Sequence, residues 1–137
     1  MTVSIDRGTR LPERHFSAIG MEMIEAYLAV SGDDNPIHTD LAAARRAGLP
    51  ERPVPGLLTM GLFGMLIHTW RPTARVDKLK AEFVAPILVG GDLTLTGRVV
   101  ARDDQAGSAI LRLLASQANK PCAIGEAEIG LGGAPRL

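Results

Sequence analysis

Apolar residues recur at helical spacing in the first part of the chain. The clearest set is Met21, Ile24, Tyr27 and Leu28. This spacing predicts a first helix over about Met21–Val30, which the small residues of Ser31-Gly32 bring to an end. Further along, strong helix formers predict a second, short helix over Leu41–Ala47, with Thr39 or Asp40 as its N-cap.

The segment Gly56–Trp70 is apolar on nearly every side. A helix with no polar face must be surrounded by protein, so we predict the core helix here. Glycines, Thr59 and His68 interrupt the apolar window, which is shorter than the ~20 residues that a membrane span needs. We therefore expect no membrane partner.

From Arg75 onward the pattern changes to alternating apolar and polar residues with turn residues between them, which is typical of strands. The predicted strands are Val76–Ala85, Asp92–Ala101, Ser108–Ala118 and Cys122–Leu131. Strands in succession indicate an antiparallel meander, with one face buried against a helix. Helices followed by strands predict an α+β fold in which the sheet wraps the apolar helix.

The length of 137 residues fits a single domain over residues 1–137. A short strand is predicted over 15–19. Residues 1–14 are polar and turn-rich, and we expect them to form a loose arm or a short edge strand. Because charged residues interrupt this stretch, we expect no secretory signal peptide.

Charge and cysteine content narrow the classes of partner and compartment. Lys plus Arg number 15 and Asp plus Glu also number 15. No overall basic field exists to hold nucleic acid, so we expect no nucleic-acid partner. The single Cys122 excludes an internal disulfide framework and leaves no cysteine pair for zinc or redox chemistry. We therefore expect a cytoplasmic protein.

The richest chemistry lies in the loop Ser31-Gly32-Asp33-Asp34-Asn35-Pro36-Ile37-His38. Pro36 fixes its own φ and disfavours helix at the preceding residue, so the run is predicted to be a rigid loop. Such a loop aims Asp33 and His38 at one small volume, where a carboxylate and an imidazole form a general acid/base pair. The alternative is an ordinary turn with a hydrogen-bonded loop histidine.

The order S-G-D-x-N-P-I-H resembles the signature of the MaoC-like or (R)-specific enoyl-CoA hydratase family, and the resemblance covers roughly 15–131. It implies a hot-dog fold. It also implies addition of water to a trans-2-enoyl thioester of coenzyme A, with Asp33 and His38 as the catalytic pair and an acyl-CoA thioester as the substrate. The reaction requires no cofactor.

Stabilisation of negative charge on the thioester oxygen needs hydrogen-bond donors, which the first free N–H groups of the core helix supply. Gly56 lies there, and family members use a glycine at this position as a donor. Relatives commonly place a histidine just before it, where this chain has Pro55. The predicted substrate-binding residues are Asn35, Pro55 and Leu57, and Asn35 is also expected to brace the loop.

Two alternatives remain beside the hydratase hypothesis. The same carboxylate and helix terminus suit thioester hydrolysis, whereas Pro55 suits a catalytically silent subunit that binds acyl-CoA. Arg45 and Arg46 form either a solvated face or a phosphate contact. We expect no metal site, because the loop offers one histidine and few oxygen ligands at the required spacing.

The resemblance also implies a homodimer or higher homo-oligomer with active sites at the subunit boundary. A single sheet layer leaves an edge and part of the core helix uncovered, and a twofold partner would cover both. We therefore expect the Asp33–His38 loop and Gly56 to lie near the subunit interface.

Overall fold

A computed structural model of the chain describes residues 5–132, and the elements before the core helix are short. They are β1 (Arg14–Phe16), α1 (Met21–Ser31), a 3-10 turn (Pro36–His38) and α2 (Leu41–Arg46). The predicted end of α1 is confirmed: Gly32 has a left-handed φ of 72°, and its N–H donates to the Leu28 carbonyl at 3.3 Å. Asp40 rather than Thr39 caps α2, because its carboxylate accepts the Ala42 N–H at 2.9 Å.

The core helix and the main strands lie where the sequence places them. They are α3 (Gly56–Trp70), β2 (Arg75–Phe83), β3 (Leu93–Asp103), β4 (Ser108–Gln117) and β5 (Lys120–Gly130). The described strands form one sheet in the order β1-β3-β4-β5-β2, and all neighbours are antiparallel.

The predicted four-strand meander is confirmed only for β3, β4 and β5. β2 lies at the far edge beside β5 and does not pair with β3. The physical reason is the connection 84–92, which makes no tight hairpin turn. Its backbone instead pairs with the segment before α3, through Val54 N–H to Ile87 O at 2.7 Å and Val89 N–H to Arg52 O at 2.9 Å.

One face of the sheet packs against α3. On β3 the predicted alternation buries Leu93, Leu95, Gly97 and Val99, and on β4 the buried set is Ala109, Leu111, Leu113 and Ala115. Phe63 of α3 lies against Gly125 of β5, where an added Cβ would be 3.0 Å from the phenyl ring. Gly125 therefore lets the helix and the sheet approach closely, and the predicted α+β arrangement is confirmed.

The prediction that α3 is surrounded by protein on all sides is wrong for the described part of the chain. The sheet covers one face, with Leu62, Phe63, Leu66 and Ile67 buried, while Leu57, Gly61 and His68 are exposed. No helix within residues 5–132 is long and apolar enough to cross a membrane.

Residues 5–14 run along β3, as the edge-strand alternative expects. The Gly8 N–H donates to Val99 O at 2.8 Å and the Leu11 N–H to Gly97 O at 2.9 Å. Ile5 and Leu11 are buried. Residues 1–4, which belong to the same predicted arm, lie outside the described residues.

Candidate active site

A series of hydrogen bonds between residues two apart in sequence holds the loop between α1 and α2. The Asp33 N–H donates to Ser31 Oγ at 3.2 Å, and the Asn35 N–H donates to Asp33 Oδ1 at 3.0 Å. Asn35 Oδ1 in turn accepts the Ile37 N–H at 3.3 Å, which caps the 3-10 turn. Asp and Asn side chains commonly fix turns in this way. The loop is thus braced by its own side chains.

His38 lies at the end of this turn and is buried. Its Nδ1 is 2.8 Å from the carbonyl oxygen of Pro53. Because a carbonyl oxygen only accepts hydrogen bonds, Nδ1 must carry the proton of that bond. Nε2 is therefore the ring nitrogen that remains for other contacts.

Asp33 and His38 face each other, as the spacing of the loop predicts. Asp33 Oδ2 lies 3.4 Å from His38 Nε2, and the side chains are 32% and 10% exposed. The separation is within ion-pair range but longer than the about 2.7–2.9 Å of a strong charged hydrogen bond. Catalytic contacts are often this long before substrate binds. One carboxylate oxygen and one ring nitrogen thus face each other at a partly open position.

The segment 51–55 links this pair to the start of α3. Pro53 pairs with Leu88 in an isolated antiparallel bridge, and its carbonyl holds the His38 ring. The Arg52 backbone N–H and the Arg52 guanidinium both donate hydrogen bonds to Glu51 Oε1. These bonds, the backbone one most, lower the pKa of the Glu51 carboxyl. Gly56 follows Pro53 by three residues, which span at most about 11 Å. The acid/base pair and the helix start are therefore fixed to the same piece of backbone.

Gly56 is the first residue of α3, and no side chain caps the helix start. It borders a cavity of about 350 Å³ lined by Val54, Gly56, Thr59, Phe83, Val84, Ala85, Pro86 and Ile87. A Cβ at Gly56 would lie 3.1 Å from the Phe83 ring. The missing side chain keeps the helix terminus open to this cavity, where its free N–H groups and positive dipole end favour an oxygen ligand.

The other predicted site residues lie in different positions. Asn35 contributes its backbone N–H and Oδ1 to the loop, Pro55 is buried as the N-cap residue of α3, and Leu57 is 68% exposed. None of the three lines the cavity beside Gly56. Their assignment to substrate binding stays a prediction. Arg45 and Arg46 are exposed on the last turn of α2.

Two further groups at the site were not predicted from the sequence. The Pro53 carbonyl, which orients His38, comes from a residue 15 positions away and left no local signal. Thr59 also lines the cavity. It was detectable as the polar residue about one turn after Gly56 in the apolar first half of the helix. Among residues 5–132, no group of three or more His, Cys, Asp or Glu residues is placed to hold a metal ion.

Comparisons with known proteins find similar sequences and structures. A family model described as MaoC like domain matches residues 3–114. The mitochondrial 3-hydroxyacyl-[acyl-carrier-protein] dehydratase of Arabidopsis thaliana is 34% identical over 80 residues, which are 58% of this chain and 48% of that protein. The (R)-specific enoyl-CoA hydratase of Aeromonas caviae is 27% identical over 133 residues, 95% of this chain and 96% of that protein.

A solved structure shares the fold over almost the whole chain. It is the (R)-hydratase from A. caviae involved in PHA biosynthesis, with a TM-score of 0.87 and 25% sequence identity, covering 96% of this chain and 100% of that one. This likeness confirms the predicted hot-dog fold. The match spans 48% of the length of the Arabidopsis relative but 96% of the Aeromonas hydratase.

Proposed function

The chain belongs to the MaoC-like domain family, and from that premise we propose that it is a hydro-lyase acting on trans-2-enoyl thioesters of coenzyme A. It adds water to give an (R)-3-hydroxyacyl-CoA and catalyses the reverse dehydration. The main support is the contact of 3.4 Å between Asp33 Oδ2 and His38 Nε2. The other polar atom of each side chain, Asp33 Oδ1 and His38 Nδ1, is already hydrogen-bonded to the backbone.

Hydration moves a proton from water to C2 and the hydroxyl group to C3. The proposed starting pair is the Asp33 carboxylate and a His38 ring that carries a proton on both nitrogens. In the proposed step, Asp33 Oδ2 accepts a proton from water while the water oxygen bonds to C3. The double-bond electrons move toward the thioester, and His38 Nε2 delivers its proton to C2 while Nδ1 keeps its own. The contact between Oδ2 and Nε2 then returns the proton from Asp33 to His38, which restores the starting pair. Dehydration follows the same steps in reverse.

Negative charge develops on the thioester oxygen during this addition. The Gly56 N–H, at the positive end of α3, is the proposed donor to that oxygen. The substrate chain would occupy the cavity of about 350 Å³ beside it. Because Pro55 has no N–H and is buried, the donor set begins at Gly56 itself.

Two other functions share parts of this site. Thioester hydrolysis would use the same carboxylate and donor but send water to the carbonyl carbon. A silent subunit would bind acyl-CoA without turnover. Of these two alternatives, Pro55 in the place of the common histidine favours the silent subunit over the thioesterase.

The purified chain alone, incubated with crotonyl-CoA, separates the three functions. We expect 3-hydroxybutyryl-CoA by chromatography and no free thiol with a thiol reagent, because hydration leaves the thioester intact. Thiol release would replace the proposal with hydrolysis. Binding of crotonyl-CoA without any product would replace it with the silent subunit.

The proposal also covers the thiol carrier of the acyl group, the oligomeric state and the cellular compartment. The names of the relatives include both coenzyme A and acyl-carrier-protein substrates, and we assign coenzyme A, which a parallel assay with a crotonyl-carrier protein checks. The proposed assembly is a homodimer, with no nucleic-acid or membrane partner. The proposed location is the cytoplasm, where the buried free thiol of Cys122 would stay reduced.

A further inference from the structure

The hydroxyl group of Thr59 is buried without a hydrogen-bond partner. The residue is 0% exposed, and Thr59 Oγ1 has no partner among residues 5–132. A threonine within a helix commonly donates to the carbonyl four residues before it. Here that carbonyl, Pro55 O, accepts the Thr59 N–H at 3.3 Å, and the hydroxyl makes no bond to it. Since buried polar groups are almost always satisfied, this free donor calls for a ligand.

The position of Thr59 places that donor beside the start of α3. Residues three apart lie on the same face of a helix, and helical side chains tilt toward the N-terminus. The Thr59 side chain therefore tilts toward the turn that begins with Gly56. Both residues line the cavity of about 350 Å³. Gly56, whose N–H begins α3, and Thr59 thus border one small volume.

We propose that the Thr59 hydroxyl donates a hydrogen bond to the thioester carbonyl oxygen of the bound acyl-CoA, beside the donor N–H of Gly56. This inference rests on the proposed function, because it assigns a further substrate-contacting residue to the same site. Thr59 transfers no proton. Its hydrogen bond strengthens as the oxygen gains negative charge during attack at C3, so it stabilises the transition state more than the bound substrate.

Replacement of Thr59 by residues of similar size tests the hydroxyl separately from the packing. Thr59→Val keeps the shape and removes the donor, and kcat for crotonyl-CoA hydration should fall about 100- to 1,000-fold. Thr59→Ser keeps the donor and should recover most of that loss. The melting temperature of Thr59→Val should not fall, because the hydroxyl has no protein partner to lose. Thr69→Val, at an exposed position of the same helix, is the matched control with unchanged kcat.

A second measurement reads the carbonyl directly and does not depend on turnover. Butyryl-CoA labelled with carbon-13 at its carbonyl is saturated and inert to hydration. Its C=O stretching frequency should fall on binding to the wild type, and Thr59→Val should reduce that fall while Thr59→Ser preserves it.

The outcomes separate this inference from the proposed function. Wild-type kcat and frequency in Thr59→Val, or equal defects in Thr59→Val and Thr59→Ser, would overturn the role of the hydroxyl and leave the hydratase intact. A frequency shift that depends on the hydroxyl, in a protein that does not hydrate crotonyl-CoA, would support Thr59 and refute the hydratase. Failure of the wild type to bind butyryl-CoA would refute both.

Discussion

Asp33 and His38 each have one side-chain atom hydrogen-bonded to the backbone, and the second polar atom of each side chain faces the other residue. Asp33 Oδ1 accepts the Asn35 N–H, and His38 Nδ1 donates to Pro53 O. These bonds fix the carboxylate and the ring tautomer, so the remaining Oδ2 and Nε2 form the reactive contact. The proposed chemistry therefore depends on the contacts behind the pair as much as on the pair itself.

The first prediction concerns this pair. Asp33→Asn keeps the Oδ1 acceptor but removes the carboxylate base, and His38→Gln keeps a donor for Pro53 O but removes the imidazole. Each should lower kcat for crotonyl-CoA hydration about 100- to 10,000-fold, as loss of a general acid or base does. Steady-state kinetics and thermal unfolding of both variants provide the measurement.

Asp34→Asn is the matched control for these variants, because Asp34 is the exposed neighbour in the same loop. Its kcat should stay close to that of the wild type. Near-normal turnover in either Asp33→Asn or His38→Gln would remove that residue from the mechanism.

Single residues were predictable where the chemistry is local. The loop order placed Asp33 and His38 together correctly, because the turn residues between them, Asn35 and Pro36, restrict the backbone. The tautomer of His38 was not predictable, since it depends on Pro53, which reaches the ring only through the pairing of segment 51–55 with the connection before β3.

At the scale of elements, segment 51–55 connects Pro53, which holds the His38 ring, to the start of α3 and the cavity beside Gly56. The bounds of α3 were predictable because Gly56–Trp70 is a mostly apolar run that a proline precedes. The strand positions were predictable because apolar and polar residues alternate there, with turn residues between the strands. The place of β2 at the far edge was not, because the alternation within a strand says which face is buried and not which strand is its neighbour.

The second prediction tests the open helix terminus. Gly56→Ala puts a methyl group 3.1 Å from the Phe83 ring, which is 47% exposed and free to shift. The free energy of unfolding should change by less than about 1 kcal/mol. The methyl group intrudes on the cavity beside the donor N–H, however, so kcat should fall about 100-fold through misplacement of the thioester.

Gly61→Ala on the same helix is the control. An added Cβ there meets nothing within 4 Å. Alanine should raise the free energy of unfolding by about 0.5–1 kcal/mol and leave kcat unchanged. If Gly56→Ala retains full activity, Gly56 only begins the helix and has no role in admitting the thioester.

At the scale of the whole molecule, β2 leaves apolar surface uncovered. Its outer face carries Lys78, Lys80 and Glu82, whereas Val76 and Phe83 lie opposite the buried Ile129 and Ala123 on the inner face and are nevertheless exposed. Among the described strands β2 pairs only with β5, so its other edge is open. An open edge with an exposed apolar inner face suits a twofold partner.

The third prediction is that the active form is a homodimer. Sedimentation should show a dimer at assay concentration, and activity per chain should fall on dilution before the chain unfolds, because the cavity beside Phe83 lies at this edge. Val76→Lys should weaken the dimer by placing a charge in the interface.

Ile124→Lys is the control for the dimer variant. Ile124 is a similarly exposed apolar residue on β5, an interior strand of the sheet. Sedimentation of this variant should match the wild type. A fully active monomer of the wild-type chain would refute both the assembly and the shared site.

The central claim is that water adds to C3 of an enoyl thioester and leaves the thioester bond intact. Incubation of the purified chain with crotonyl-CoA in water enriched in oxygen-18, followed by chiral chromatography and mass spectrometry, tests it most directly. We predict (R)-3-hydroxybutyryl-CoA with the heavy oxygen in the C3 hydroxyl group. Heavy oxygen in a free carboxylate, or recovery of crotonyl-CoA with no 3-hydroxybutyryl-CoA formed, would contradict the account.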